Sequence, residues 1–154
     1  MNQRMEYASA SPEPMKAMFA LGSYLERCGL ESSLLELVKI RASQINGCGF
    51  CLDMHTKDAR AAGETEQRIY LLNVWREAPQ FTDRERAALA WTEAVTRIAD
   101  GGPSDEVYEQ ARGQFSEKEL TDLTWAAVVI NSYNRLAVSF RITPGTYKVG
   151  QFKV

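Results

Sequence analysis

Helix start and stop signals cut this chain into short segments, and nothing between them alternates as a half-buried strand does. Two capping boxes stand out: Thr82 with Glu85, and Ser116 with Glu119. In each, a hydroxyl and a carboxylate satisfy the free N–H groups of a first helical turn. Gly29, Asn46-Gly47, Gly63 and Gly101-Gly102-Pro103 supply the stops, because glycine accepts the left-handed conformation that ends a helix.

Between these signals the apolar residues recur at helical spacing. Pro12 and Pro14 open a segment carrying Met15, Phe19, Leu21, Leu25 and Cys28. The next runs to Asn46 with Leu34, Leu37, Val38, Arg41 and Ile45 on one stripe, and Leu35 and Ile40 off it. A helix apolar most of the way round is buried on more than one side. Further segments run from Cys48 to about Ala62 and from Glu64 to Trp75. Thr82 opens one that carries Leu89, Trp91, Val95 and Ile98. Ser104 caps a short one, and Ser116 starts a long final helix to about Phe140. The reading is an all-α fold of six to seven helices. It forms one domain over residues 1–154, and its tail, 142–154, runs extended and packs on a neighbour.

Composition narrows the function classes. With 154 residues, 45% hydrophobic and 25% charged, the chain matches an ordinary globular protein. A net charge of −2 offers no electrostatic attraction to nucleic acid or an anionic membrane. No apolar run reaches the roughly 18 residues of a membrane span, and residues 1–15 lack a signal-peptide core. The expected compartment is the cytoplasm.

The chain has three cysteines and one histidine, and nearly all its soft nucleophilic and ligand chemistry lies within eight residues. An odd count in such a chain does not read as a secreted disulfide framework. Cys48 and Cys51 form a C-x-x-C, and His55 follows four residues later. The pair lies where one helix ends and the next begins, and the free N–H groups of a helix start favour a thiolate. Cys51 and His55 share a helix face. If the chain reverses near Asn46, residues whose numbers sum to about 91 lie level, so His55 meets Glu36 roughly 14 Å from the turn. Glu36 to His55 to Cys51 is then a proton path. Competing readings are inert core thiols, a zinc set of Cys28, Cys48, Cys51 and His55, and a Glu36 that merely pairs with Lys39. Cys28 reads as a small core hydrophobe. The polar run Asn131 to Arg135 interrupts an apolar helix and reads as structural.

Glu36, Cys48-Gly49-Phe50-Cys51 and His55 together resemble the signature of the alkylhydroperoxidase AhpD-like group, within the carboxymuconolactone decarboxylase family. The likeness extends through Ala59-Arg60-Ala61-Ala62-Gly63 and Ile130 to Leu136, and covers about 18–138 of the chain. It implies an all-α protein that assembles as a homo-oligomer, a trimer or hexamer built from dimers. It implies peroxide reduction by the cysteine pair without metal or flavin. Cys51 would be the peroxidatic thiolate, Cys48 would resolve it to a disulfide, and His55 and Glu36 would move the proton. A thiol or a lipoylated protein would supply electrons. The group's best-studied branch has a histidine where this chain has Phe50. The alternative functions are a protein disulfide oxidoreductase and a zinc-stabilised binding module.

Overall fold

The computed structural model describes residues 2–152, which form eight α-helices and two 3₁₀ turns and contain no strand. They are α1 (Tyr7–Ala10), α2 (Pro12–Leu25), α3 (Ser32–Asn46), α4 (Gly49–Ala61), α5 (Glu66–Leu71), α6 (Asp83–Thr96), α7 (Asp105–Arg112) and α8 (Glu117–Phe140). Both expected capping boxes form at α6 and α8, and Ser104 caps α7 through the Val107 N–H. None of the helices is long and apolar enough to cross a membrane.

Helix α3 is the centre of the fold. It packs on α4, α6 and α8, and Leu34, Leu35, Leu37, Val38, Ile40 and Ala42 are all buried. That burial on several faces is why its apolar residues do not keep to one stripe. One of its faces joins the core of α2, α6 and α8 around Trp91 and Leu123. Another meets Leu72, Trp75 and Leu89. A third, at Ala42, meets Cys48, Cys51, Ile130 and Ala137.

Polar side chains inside this core pair with one another. Glu93 accepts from Arg41 Nε (2.7 Å), Trp75 Nε1 (2.8 Å) and Arg76 (2.7 Å). Burial would raise its carboxyl pKa, and these donors hold it below the usual range. The Asn131–Arg135 run works the same way. Asn46 Nδ2 donates to both Asn131 Oδ1 and Asn134 Oδ1 at 2.9 Å. Asn134 Nδ2 in turn donates to Ser43 Oγ at 3.0 Å. This band ties the C-terminal turn of α3 to the middle of α8, next to the cysteines.

Several local expectations change. The N-terminal segment forms the short helix α1, with Tyr7 stacked on Phe140 at 5.5 Å. The segment from Glu64 breaks into α5 and a 3₁₀ turn, Leu72–Val74. Helix α6 stops at Thr96, so Ile98 falls in a second 3₁₀ turn and is exposed. Cys28 is only partly buried. Trp75 and Trp91 are buried, while Trp125 is exposed.

The tail differs most. Residues 142–152 contain no helix or strand, bend at Pro144-Gly145 and end in a turn at 149–152, and they lie on α4 of the same chain. Gly145 N–H donates to Asp53 (2.9 Å), Lys57 Nζ to the Tyr147 carbonyl (3.0 Å), and the Tyr147 hydroxyl to both Asp58 oxygens. These anchors on α4 hold the tail within its own chain; residues 153 and 154 lie outside the described part.

Asn134 is almost fully buried, and truncating it removes one of the two acceptors of Asn46 and the donor to Ser43 Oγ. Asn134→Ala is expected to lower unfolding free energy by about 1–3 kcal/mol, read as a lower urea midpoint at unchanged slope.

A candidate thiol–disulfide active site

The site begins with the way α3 ends. Gly47 takes a left-handed conformation (φ 66°). Gly47 N–H then bonds to the Gln44 carbonyl, and Cys48 N–H to the Ser43 carbonyl at 3.0 Å. These two bonds make a Schellman stop, after which the chain reverses at once. Cys48 becomes the N-cap of α4, and its sulfur accepts from the Cys51 N–H at 3.3 Å. Across that first turn the two cysteines form a disulfide, with Cα atoms 5.4 Å apart. Both are buried, with Ala42, Ile130, Ala137 and Ile142 around them.

The reversal also sets the carboxylate against the imidazole. Glu36 Oε2 lies 2.9 Å from His55 Nδ1, and Glu36 Oε1 accepts from Lys39 Nζ at 2.8 Å. Both expected contacts of Glu36 are present, one on each oxygen. Burial pushes the Glu36 carboxyl up, but His55 and Lys39 outweigh it and hold the pKa down to about 2. An ionised carboxylate only accepts hydrogen bonds, so Nδ1 carries the proton in this pair. In the neutral ring Nε2 is then the free base.

A cavity of about 890 Å³ opens beside these residues. Cys51, His55, Glu36 and Phe50 line it, whereas Cys48 does not. Aromatic residues from distant parts of the chain also line it, among them Tyr7, Phe19, Tyr133 and Tyr147. Three of the four expected site residues, Glu36, Cys51 and His55, border this cavity, and Cys48 joins them through its disulfide to Cys51. Cys28 does not join them. It packs with the α2–α8 core cluster, and Lys118 Nζ bonds its carbonyl at 2.8 Å. The Cys28, Cys48, Cys51, His55 zinc set is thus not assembled. Among the described residues no group of three His, Cys, Asp or Glu side chains converges to hold a metal.

Sequence reasoning missed the tail's share of the cavity. Ile142, Thr146 and Tyr147 line it, but nothing in their local pattern points to α4. Asp58, three residues after His55 on the same helix face, was a legible signal.

Residues 12–94, which include Glu36, both cysteines and His55, match the carboxymuconolactone decarboxylase family. The chain belongs to that family. It is 42% identical over 139 residues to the uncharacterized protein YdfG of Bacillus subtilis, covering 90% of this chain and 95% of that protein. The crystal structure of ATU0492 from Agrobacterium tumefaciens superposes with a TM-score of 0.91 at 47% identity. It covers 95% of this chain and 100% of that one, and is described as a protein of unknown function and a candidate antioxidant-defence AhpD. A shorter stretch, 41 residues at 44% identity, matches the alkyl hydroperoxide reductase AhpD of Bradyrhizobium diazoefficiens, covering 27% of this chain and 22% of that protein. The all-helical fold is AhpD-like.

The Glu36 carboxyl has a folded pKa of about 2 against an ordinary 4.5. A depressed carboxyl contributes stability above its unfolded pKa and loses it as pH falls toward the folded one. Between about pH 5 and pH 3 the wild type is expected to lose on the order of 2 kcal/mol more than Glu36→Gln. Urea unfolding at the two pH values reads the difference.

Proposed function

We propose that this chain is a thiol-dependent peroxidase that reduces organic hydroperoxides. The observation that carries the reading is that Cys51, alone of the pair, borders the cavity, on the wall it shares with His55 and Glu36. His55 takes the Cys51 proton at Nε2, and Glu36 stabilises the imidazolium that results. The thiolate attacks the outer oxygen of the O–O bond. Cys51 becomes a sulfenic acid, and the departing alkoxide takes the proton back from His55 to leave as alcohol. The Cys48 thiol then attacks the Cys51 sulfur, forms the disulfide and releases water. A dithiol closes the cycle, giving up two electrons and two protons to restore both thiols and leaving as its own disulfide. A small thiol or a lipoylated protein has the chemistry for that role. No resident metal or flavin enters any step.

A cytoplasmic setting, where thiols are kept reduced, suits this cycle. Exposed Trp125 and Val128 on α8, with Phe19 and Tyr24 on α2, support a homo-oligomer built from dimers. The burial of both cysteines, 1% and 2% exposed, favours a small hydroperoxide over direct exchange with disulfides of folded proteins. The buried pair also sets this chain apart, on this reading, from a decarboxylase.

With a dithiol reductant in excess, Cys51→Ser is expected to drop hydroperoxide consumption to the uncatalysed background. Cys48→Ser, assayed without added thiol, should consume one equivalent and stop at the Cys51 sulfenic acid; with the dithiol present, His55→Ala should slow turnover roughly 10²-fold or more. A Cys51→Ser protein that retains the wild-type rate contradicts the proposal.

A further inference from the structure

The cavity wall carries its charge unevenly. The carboxylates Glu6, Glu26, Glu36 and Asp58 border it, with the phenols Tyr7, Tyr133 and Tyr147. Among the described residues that line it, Lys39 is the only lysine or arginine. Asp58 already holds the Tyr147 hydroxyl on both oxygens, at 2.9 and 2.8 Å. The Lys39 ammonium goes to Glu36 Oε1, the oxygen that His55 leaves free.

This pair differs from an ordinary i,i+3 pair on a helix surface. Glu13 and Lys16 in α2 have the same spacing and a similar distance, 2.7 Å, but their side chains are 77% and 72% exposed. For Glu36 and Lys39 the figures are 17% and 22%. Water screens the first pair and screens the second far less. The ammonium consequently acts on the carboxylate in two ways. It holds the plane of Glu36 so that Oε2 faces Nδ1. It also offsets part of the charge with which Glu36 stabilises a protonated His55.

We propose that Lys39 is a positioning residue, which acts through Glu36 to orient His55 and to set the pH at which the His55–Cys51 pair gives up its proton. This rests on the Glu36–His55–Cys51 proton path of the peroxidase reading. Removing a cation raises the proton affinity of every acid near it. The thiol, the imidazolium and the Glu36 carboxyl must therefore all move upward together when Lys39 is lost. The cavity phenols do not confuse this, because burial raises all three. Tyr133 and Tyr147 are pushed up to about 12, Tyr133 by burial and then by Tyr7, and Tyr147 by burial and then by Asp58.

The test uses the full chain with Cys28→Ser and Cys48→Ser, leaving Cys51 as the sole thiol. Its alkylation rate by iodoacetamide is followed from about pH 5 to about pH 9. Lys39→Met and Lys39→Gln are expected to raise the midpoint by about one pH unit, with about tenfold slower alkylation below the transition. Lys39→Arg should return the midpoint to that of the parent. A midpoint that stays put in Lys39→Met and Lys39→Gln overturns the inference, and so does one that Lys39→Arg shifts equally. Alkylation needs no hydroperoxide, so the profile reads Lys39 even if peroxide turnover fails. An unmoved profile beside full peroxidase activity rejects the role of Lys39 alone.

Discussion

Everything at the candidate site depends on a two-residue reversal. Only Gly47 and Cys48 separate α3 from α4, and Gly47 makes the turn by adopting a left-handed conformation. One inserted residue would rotate α4 by about 100° relative to α3. With the short turn, Cys48 caps α4, Cys51 falls in its first turn, and His55 comes one turn later against Glu36. The same turn is anchored from the other side by Asn46, whose amide bonds Asn131 and Asn134 on α8.

Helix α3 also organises the buried charge. On the side facing α4 it presents Glu36, held between His55 and Lys39. On the side facing α6 it presents Arg41, bonded to Glu93. Burying an ion costs several kcal/mol unless a partner and hydrogen bonds compensate. Both sites meet that condition, since among the described residues no buried side-chain polar atom lacks a partner. The two arrangements differ in their surroundings. The Arg41–Glu93 pair is enclosed by Trp75 and Asn73 and serves to join helices. The Glu36 cluster borders an open cavity.

Most of the helices were legible in the sequence because their ends are local. Thr82-x-x-Glu85 and Ser116-x-x-Glu119 satisfy their own N–H groups, and Gly47 and Gly63 end helices by conformation alone. The Glu36–His55 pairing was legible for a related reason: a tight reversal fixes which residues lie level. What escaped depends on contacts distant in the chain. Tyr7 forms part of a short helix that rests on Phe140. Tyr147 reaches back across 89 residues to Asp58, with no periodic pattern to announce it. Lys39 looked like a surface partner of Glu36, and only the cavity distinguishes it from one. Cys28 lies past the end of α2, in the bend after Leu25 and not on the expected helical stripe, and is partly rather than fully buried.

The central claim is that Cys48 and Cys51, and not Cys28, are the pair a hydroperoxide oxidises. Counting thiols in fully reduced protein before and after one equivalent of cumene hydroperoxide tests it directly, with the products located by mass spectrometry. Of the three cysteines, two should disappear into a Cys48–Cys51 disulfide, with Cys28 still titrating as a free thiol. Retention of all three thiols, or oxidation confined to Cys28, would contradict the account.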